Sequence, residues 1–299
     1  MLFPQDYKKD GFNAVVVLGA TATGKTAYAV NLAKEYSGEI ISVDSRQVYK
    51  GLDLGTGKDL FEYGNVPYHL IDICSLEKEY NVFDFQNDAY AAFAEVSGKD
   101  NLPIFTGGTG LYLDALIREY NLVPVSENRE LRIGLEDKTL EELQNILLGL
   151  KPEIHNKTDF EQRERLVRAI EIAEYNKNNP AAAQLLVSKR PHIKPFIIGL
   201  SFPRGVLRSR IYARLVQRIK AGMIEETENL NKNGVSWERL ESLGLEYKFT
   251  AMYLQGKIKS KEEYIEELYR AICKFAKRQE TWFRRMEKNR VNINWIICS

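Results

Sequence analysis

The sequence predicts an α/β fold: a parallel β-sheet flanked by helices, with a helical insertion. Three observations predict it. Short runs rich in Val and Ile alternate with helix-patterned stretches over the first 125 residues. Those runs are apolar at successive positions, as strands covered on both faces must be. A polar, helix-patterned stretch then separates them from another such run at 194–204. The chain is long enough for the purpose: 299 residues, 44% apolar and 28% charged, can bury a large core in one large or two modest domains.

The elements follow in order. "NAVVVLG" (13–19) is an apolar run closing on glycine, a strand, and "TAYAVNLAKEY" continues as a helix with its apolar positions on one side. "EIISVD" (39–44) repeats the strand signal, and "YHLIDIC" (68–74) is a third candidate. "FDFQNDAYAAFAEVSGK" (83–99) reads as a helix, "LPIFTGG" (102–108) as a strand and "TGLYLDALI" as a helix starting near Thr109. From about 127 to 178 the chain turns polar and helical, with "LEELQNILLGL" and "ERLVRAIEIAEY" as its apolar-striped pieces. "KPFIIGLSFPR" (194–204) supplies a further strand; Pro203 suits the start of the helix after it, where a missing N–H costs nothing. Long helical patterns fill 204–232 and 261–288, and "VNINWIIC" (291–298) is a last strand. The organisation expected is a first part of the α/β core at 1–125, a helical insertion at 126–180, and a core strand with basic C-terminal helices at 181–299.

Several classes are excluded at this level. No run approaches the ~20 apolar residues of a membrane span, and "MLFPQDYKKDGF" lacks the apolar stretch and cleavage site of a signal peptide. Cys74, Cys273 and Cys298 show no zinc or redox spacing, as expected of a protein of the reducing cytoplasm. Net charge is only +1, but it is unevenly spread. Residues 203–220 hold Arg204, Arg208, Arg210, Arg214, Arg218 and Lys220 with no acid, and 270–290 hold eight Arg or Lys against Glu280 and Glu287. Such segments suit a nucleic acid or another phosphate-rich ligand equally well.

"GATATGKT" (19–26) fits G-x-x-x-x-G-K-T between an expected strand and an expected helix, the context of a P-loop, so the sheet is read as P-loop NTPase-like. Gly19, Ala20, Thr21, Ala22, Thr23 and Gly24 would wrap backbone N–H groups around an anion, Lys25 would reach its phosphates, and the Thr26 hydroxyl is the candidate ligand for Mg²⁺. A P-loop ATPase should also carry an apolar strand ending in a magnesium-binding acid. "LPIFTGGTG" ends instead in threonine and glycines; only Asp44 and, less clearly, Asp72 follow apolar runs. Gly107, Gly108 and Gly110 around Thr109 read as a loop that lets backbone and hydroxyl approach a ligand closely. The chain thus has a pyrophosphate cradle without the usual apparatus for hydrolysing a γ-phosphate.

"GATATGKT", "ISVDSRQVYKGLDLGTGK", "FTGGTGLYLDAL", "RLVRAIEI" and "AKRQETWFR", in that order, resemble the tRNA dimethylallyltransferase family, over about residues 12 to 286. The resemblance implies transfer of a five-carbon prenyl group from dimethylallyl diphosphate to N6 of adenosine 37, beside the tRNA anticodon. The P-loop would then hold the donor's diphosphate with Mg²⁺. It puts the family's acid on Asp44, as acceptor of the amine proton, with Ser45, Arg46 and Gln47 lining the same loop against the nucleotide. It puts a base-contacting threonine on Thr109 and a diphosphate clamp on Arg214. Arg132, Glu164, Arg165, Leu166, Val167 and Arg168 fall on positions lying against RNA, which makes the insertion the tRNA-facing part. Its partners would be the tRNA anticodon stem-loop and dimethylallyl diphosphate, with no membrane, for a monomer.

The chain departs from the family's pattern at several places. Ala20 stands for proline, Arg218 for methionine, Ile272-Cys273-Lys274 for threonine-arginine-glutamine, and "GLEY" (244–247) for the glycine-tyrosine stretch. Three other readings stay open on the sequence: an adenylate isopentenyltransferase acting on a free nucleotide, a P-loop small-molecule kinase, and an RNA-binding relative that has lost catalysis. The insertion and basic helices favour a polynucleotide over a free nucleotide, and the missing second acid argues against a kinase.

Overall fold

The computed structural model describes residues 3–150, 162–180 and 190–299. The chain divides into two compact units, Met1–Glu119 with His192–Ser299, and Tyr120–Pro191. In the first, β1 (Ala14–Gly19), β2 (Gly38–Val43), β3 (Tyr68–His69), β4 (Leu102–Gly107), β5 (Pro195–Ser201) and β6 (Asn294–Ile297) form a parallel sheet in the order β3-β2-β4-β1-β5-β6. β1 lies inside it, with Val17 paired to Thr106 on one side and Ile198 on the other.

The unbroken apolar runs have a direct cause: both faces of the sheet are covered. Val16 and Leu18 point into a core with Ile41, Val43 and Phe105, where α2 (Val82–Gly98) and α3 (Gly110–Ile117) add Phe85, Phe93, Tyr112 and Leu113. Val15 and Val17 point the other way, to Ile40, Ile104 and Ile198, where α1 (Lys25–Tyr36) adds Ala29, Val30, Leu32 and Ala33. Each such buried side chain contributes about 1.5–3 kcal/mol. α2 starts on a capping box: the Asn81 side chain accepts from the Phe83 and Asp84 N–H groups, and the Asp84 carboxylate accepts from the Asn81 N–H.

Three elements differ from the sequence reading. The strand expected at 68–74 stops after His69, because Leu70 and Asp72 take left-handed backbone conformations. The helical pattern at 204–232 breaks at Gly222 into α7 (Arg204–Lys220) and α8 (Met223–Lys232). α9 (Trp237–Ser242) and α10 (Leu245–Leu254), short and poorly striped, were not expected; they precede α11 (Lys261–Lys288). Leu240, Leu243, Tyr247 and Ala251 from these short helices bury Val48, Tyr49 and Leu52 of the polar segment after β2. No helix among the described residues is long and apolar enough to cross a membrane.

The second unit packs α4 (Arg129–Leu135), α5 (Leu140–Leu150) and α6 (Arg163–Asn178) around Leu135, Leu143, Leu147, Leu166, Ile170 and Ala173. It is wider than the 126–180 read from sequence, since the Arg190 guanidinium donates to the carbonyls of Tyr120 (2.9 Å) and Leu122 (3.0 Å) and so ties its two ends. Its one buried acid, among the described residues, is Glu171. Arg132 Nε (2.8 Å), Arg168 Nη1 (3.0 Å) and the Asn128 N–H (2.9 Å) all donate to that carboxylate. Burial alone would raise it, but these donors bring it down to about 2. The depressed carboxyl contributes stability that is complete above its ordinary 4.5 and lost as pH falls towards 2. Removing it in Glu171→Ala is expected to cost about 3 kcal/mol in denaturant unfolding at neutral pH, and the gap to wild type should close in acid.

Candidate active site

The P-loop leaves β1 at Gly19 and enters α1 at Lys25. Ala20 and Ala22 are buried against α7 and α11, so the loop is clamped from outside the sheet as well as from within. The Thr23 hydroxyl donates to the Ala20 carbonyl at 2.8 Å, and Lys25 Nζ donates to the same oxygen at 2.8 Å. Burial, and then the neighbouring Arg214 charge, push the Lys25 ammonium down to about 8. An anion in the loop opposes the Arg214 effect, so pyrophosphate binding near pH 8 is expected to be accompanied by proton uptake at Lys25. Calorimetry in buffers of different ionisation enthalpy measures this; the uptake should vanish in Lys25→Met.

Across the cavity, α7 carries a second row of cations. Leu207, Ile211, Leu215 and Ile219 are buried four residues apart, and the adjoining stripe is Arg210, Arg214 and Arg218. Arg210 Nε donates to the Ala22 carbonyl at 2.8 Å. Arg214 and Arg218 reach the same oxygen of Asp59, at 3.1 and 3.3 Å. Sequence reading singled out Arg214 alone, although the spacing of four in "RIYARLVQR" carries the whole stripe.

The polar segment after β2 sits at the other wall. Asp44 Oδ1 accepts from the N–H groups of Arg46 (2.8 Å) and Gln47 (3.3 Å), which fixes the carboxylate while leaving Oδ2 with no hydrogen-bond partner among the described residues. Thr109 Oγ1 accepts from the Ser45 N–H at 3.1 Å, so its own O–H can donate elsewhere. Asp44, Ser45, Arg46 and Thr109 are half-buried and line the cavity with Lys25, Thr26 and Arg214. Gln47 is more deeply set: Ser42 Oγ donates to its Oε1 at 3.0 Å, and its Nε2 donates to the Gly57 carbonyl at 3.1 Å, which spends its amide on the loop itself. Asp72 is likewise engaged, with the buried ammonium of Lys58, which also donates to the Tyr49 carbonyl (2.8 Å) and Asp53 (2.7 Å). Glu226 holds the far end by accepting from the Leu54 N–H (2.7 Å) and Tyr247 hydroxyl (2.6 Å).

The glycines around Thr109 answer to the protein rather than to a ligand. A Cβ on Gly107 would lie 2.1 Å from the Val43 carbonyl, on Gly108 2.2 Å from Gln279 Nε2, and on Gly110 2.4 Å from the Trp282 ring. Gln279 explains the crowding. Its Oε1 accepts from the Thr21 N–H and its Nε2 donates to the Gly108 carbonyl, each at 2.8 Å, so one amide fastens the P-loop to the Thr109 loop. A sequence signal existed: Gln279 is a lone polar residue in the buried stripe Tyr264, Leu268, Ile272, Ala276, Phe283, Met286 of α11.

The cavity bounded by these walls holds about 1210 Å³, more than the ~300–1,000 Å³ one small ligand needs. Among the described residues no cluster of His, Cys, Asp or Glu could hold a metal unaided. The Thr26 and Thr106 hydroxyls nevertheless line the cavity, and that of Thr106 is buried with no hydrogen-bond partner among the described residues. That set fits a hard cation carrying water and held mainly by a ligand's phosphates.

In the second unit the expected RNA-facing residues diverge. Glu164 and Arg165 are exposed, and Val167 is half-buried. Leu166 is wholly buried in the helical core, so its side chain offers a ligand no surface, and Arg132 and Arg168 are engaged with Glu171.

Comparison with known proteins gives the geometry a family. Residues 47–286 match the family described as IPP transferase, and 12–63 match Isopentenyl transferase. A tRNA dimethylallyltransferase 2 of Treponema denticola is 70% identical over 288 residues, 96% of this chain and 97% of that protein. The solved tRNA isopentenylpyrophosphate transferase of Bacillus halodurans is 34% identical with a TM-score of 0.68, covering 95% of this chain and 89% of its own. A eukaryotic dimethylallyltransferase solved acting on tRNA shares the fold at a TM-score of 0.76 and 22% identity, over 96% of this chain and 74% of its own. The matches agree over nearly the whole chain: it belongs to the tRNA dimethylallyltransferase (IPP transferase) family.

Proposed function

We propose that the protein transfers the dimethylallyl group of dimethylallyl diphosphate to N6 of adenosine 37 in the anticodon stem-loop of tRNA, releasing diphosphate. The observation that carries this reading is the placing of Asp44, one carboxylate oxygen of which has no hydrogen-bond partner among the described residues, in the same cavity as Lys25 and Arg214. The donor's diphosphate takes the P-loop from Gly19 to Thr26, its charge met by backbone N–H groups, Lys25 and Arg214. The adenine takes the side of Asp44 and Thr109. An exocyclic adenine amine is a poor nucleophile that must lose a proton as it attacks. The N6 lone pair forms the bond to C1 of the prenyl group, the C1–O bond breaks towards the diphosphate, and the amine proton passes to Asp44. Thr109 orients the base by donating its hydroxyl proton to it, and Ser45 and Arg46 line the approach.

A divalent cation, Mg²⁺ by its fit to phosphate and hydroxyl oxygens, would be held by Thr26, with the Thr106 hydroxyl as a further oxygen donor. When bound it offsets charge on the departing diphosphate. The protein acts as a monomer, and tRNA as substrate suits the cytoplasm. In the helical unit Glu164 and Arg165 are fully open to a partner, while Arg132 and Arg168 are held on the Glu171 carboxylate with their side chains still partly exposed. Nucleoside mass spectrometry of tRNA from cells with and without the gene tests the reading. Loss of N6-dimethylallyladenosine is expected, and unchanged amounts would overturn it.

A further inference from the structure

We infer that Arg218 is a second guanidinium for the donor's diphosphate, held ready beside Arg214 by Asp59, which occupies the ligand's electrostatic place until the ligand arrives. The inference rests on the diphosphate reading of the cavity and extends it to a residue where this chain has its own chemistry. Arg214 and Arg218 stand one turn apart on α7 and line the cavity that holds Lys25. Both donate to Oδ2 of Asp59, at 3.1 and 3.3 Å. A single carboxylate oxygen thus faces two unit charges, while each guanidinium has five N–H donors to give.

The Arg218 side chain is only 11% exposed. Burial and the Arg214 charge weaken its hold on its proton, and the acids opposing them are Asp59 and Glu246. Glu62 and Glu246 also act on the two guanidinium groups through space, but among the described residues Asp59 is the acceptor of their hydrogen bonds, which leaves most of their N–H donors for an anion with more oxygens. A diphosphate is such an anion.

The backbone is shaped for the same pair. Gly57 has φ +65°, and a Cβ there would fall 1.5 Å from Arg218 Nη2 and 2.4 Å from an Arg214 nitrogen, so only glycine lets the loop approach both heads. Asp59 itself holds a left-handed conformation (φ 44°), which asparagine tolerates as well as aspartate. Asp59→Asn therefore removes the charge without disturbing the turn.

Inorganic pyrophosphate with Mg²⁺, titrated calorimetrically into the whole protein, separates the possibilities. Arg218→Met is expected to weaken binding by about tenfold or more, and Arg218→Lys to restore part of it, as losing a charge-assisted hydrogen bond implies. Asp59→Asn is expected to move affinity the opposite way, tightening it several-fold, because the ligand no longer displaces a carboxylate. A merely structural role for the ion triad predicts that both variants weaken binding or that neither does, and either result overturns the inference. Lys25→Ala is the control for the cavity reading. Loss of binding in Lys25→Ala with wild-type affinity in Arg218→Met leaves the P-loop assignment intact and removes Arg218 from the site. Wild-type affinity in both moves the anion elsewhere and defeats both readings.

Discussion

Asp44→Asn is expected to slow single-turnover prenyl transfer by ~10²–10⁴ while both substrates still bind with near-normal affinity. Asparagine keeps the size of the side chain, and its amide oxygen can still accept from the Arg46 and Gln47 N–H groups that fix Asp44 Oδ1. What it loses is the anionic second oxygen, the one with no hydrogen-bond partner among the described residues. A variant that transfers at the wild-type rate would mean that the amine proton leaves to water or diphosphate and that Asp44 only shapes the loop. Asp44→Ala is expected to be at least as slow and to loosen the Ser45–Gln47 turn, since those N–H groups lose their acceptor. Comparing the two variants separates the chemical share of the loss from the structural one.

Lys25→Ala is expected to weaken dimethylallyl diphosphate binding by roughly 10²-fold, as removing a charge-assisted hydrogen bond from a recessed site implies. The fold should persist. Lys25 Nζ donates to the Ala20 carbonyl, while the loop is separately held by Thr23 and by Gln279 on the Thr21 N–H. Equilibrium binding measures the first expectation and circular dichroism the second. Full donor affinity in this variant would remove the P-loop from the site.

Much of this was legible in the sequence because it follows from local rules. The Val- and Ile-rich runs around 15–18, 40–43 and 102–106 could only be strands covered on both faces, and the order of G-x-x-x-x-G-K-T between strand and helix fixed where an anion would lie. Asp44 was marked by its place after an apolar run and given its role by resemblance, Arg214 by resemblance, and both line the cavity that Lys25 lines. What local rules missed depends on residues far apart in the chain. Gln279 acts 258 residues from Thr21, and Asp59 meets Arg218 across 159. The glycines around Thr109 looked like room for a ligand, when the neighbours that need the space are Val43, Gln279 and Trp282. α9 and α10 escaped because short helices owe their stability to packing, here against the loop they hold, more than to propensity. Arg168 and Arg132 were expected against RNA, and a buried carboxylate three and thirty-nine residues away holds their guanidinium groups.

The account is tested most directly by incubating the protein and Mg²⁺ with dimethylallyl diphosphate, an unmodified anticodon stem-loop and an equal amount of free AMP. Nucleoside mass spectrometry then reads where the prenyl group has gone. The expected result is one C₅H₈ unit on the adenosine following the anticodon, none on AMP, and one diphosphate released per transfer. Prenylated AMP with an unmodified stem-loop, or no prenylated product from either acceptor, would contradict it.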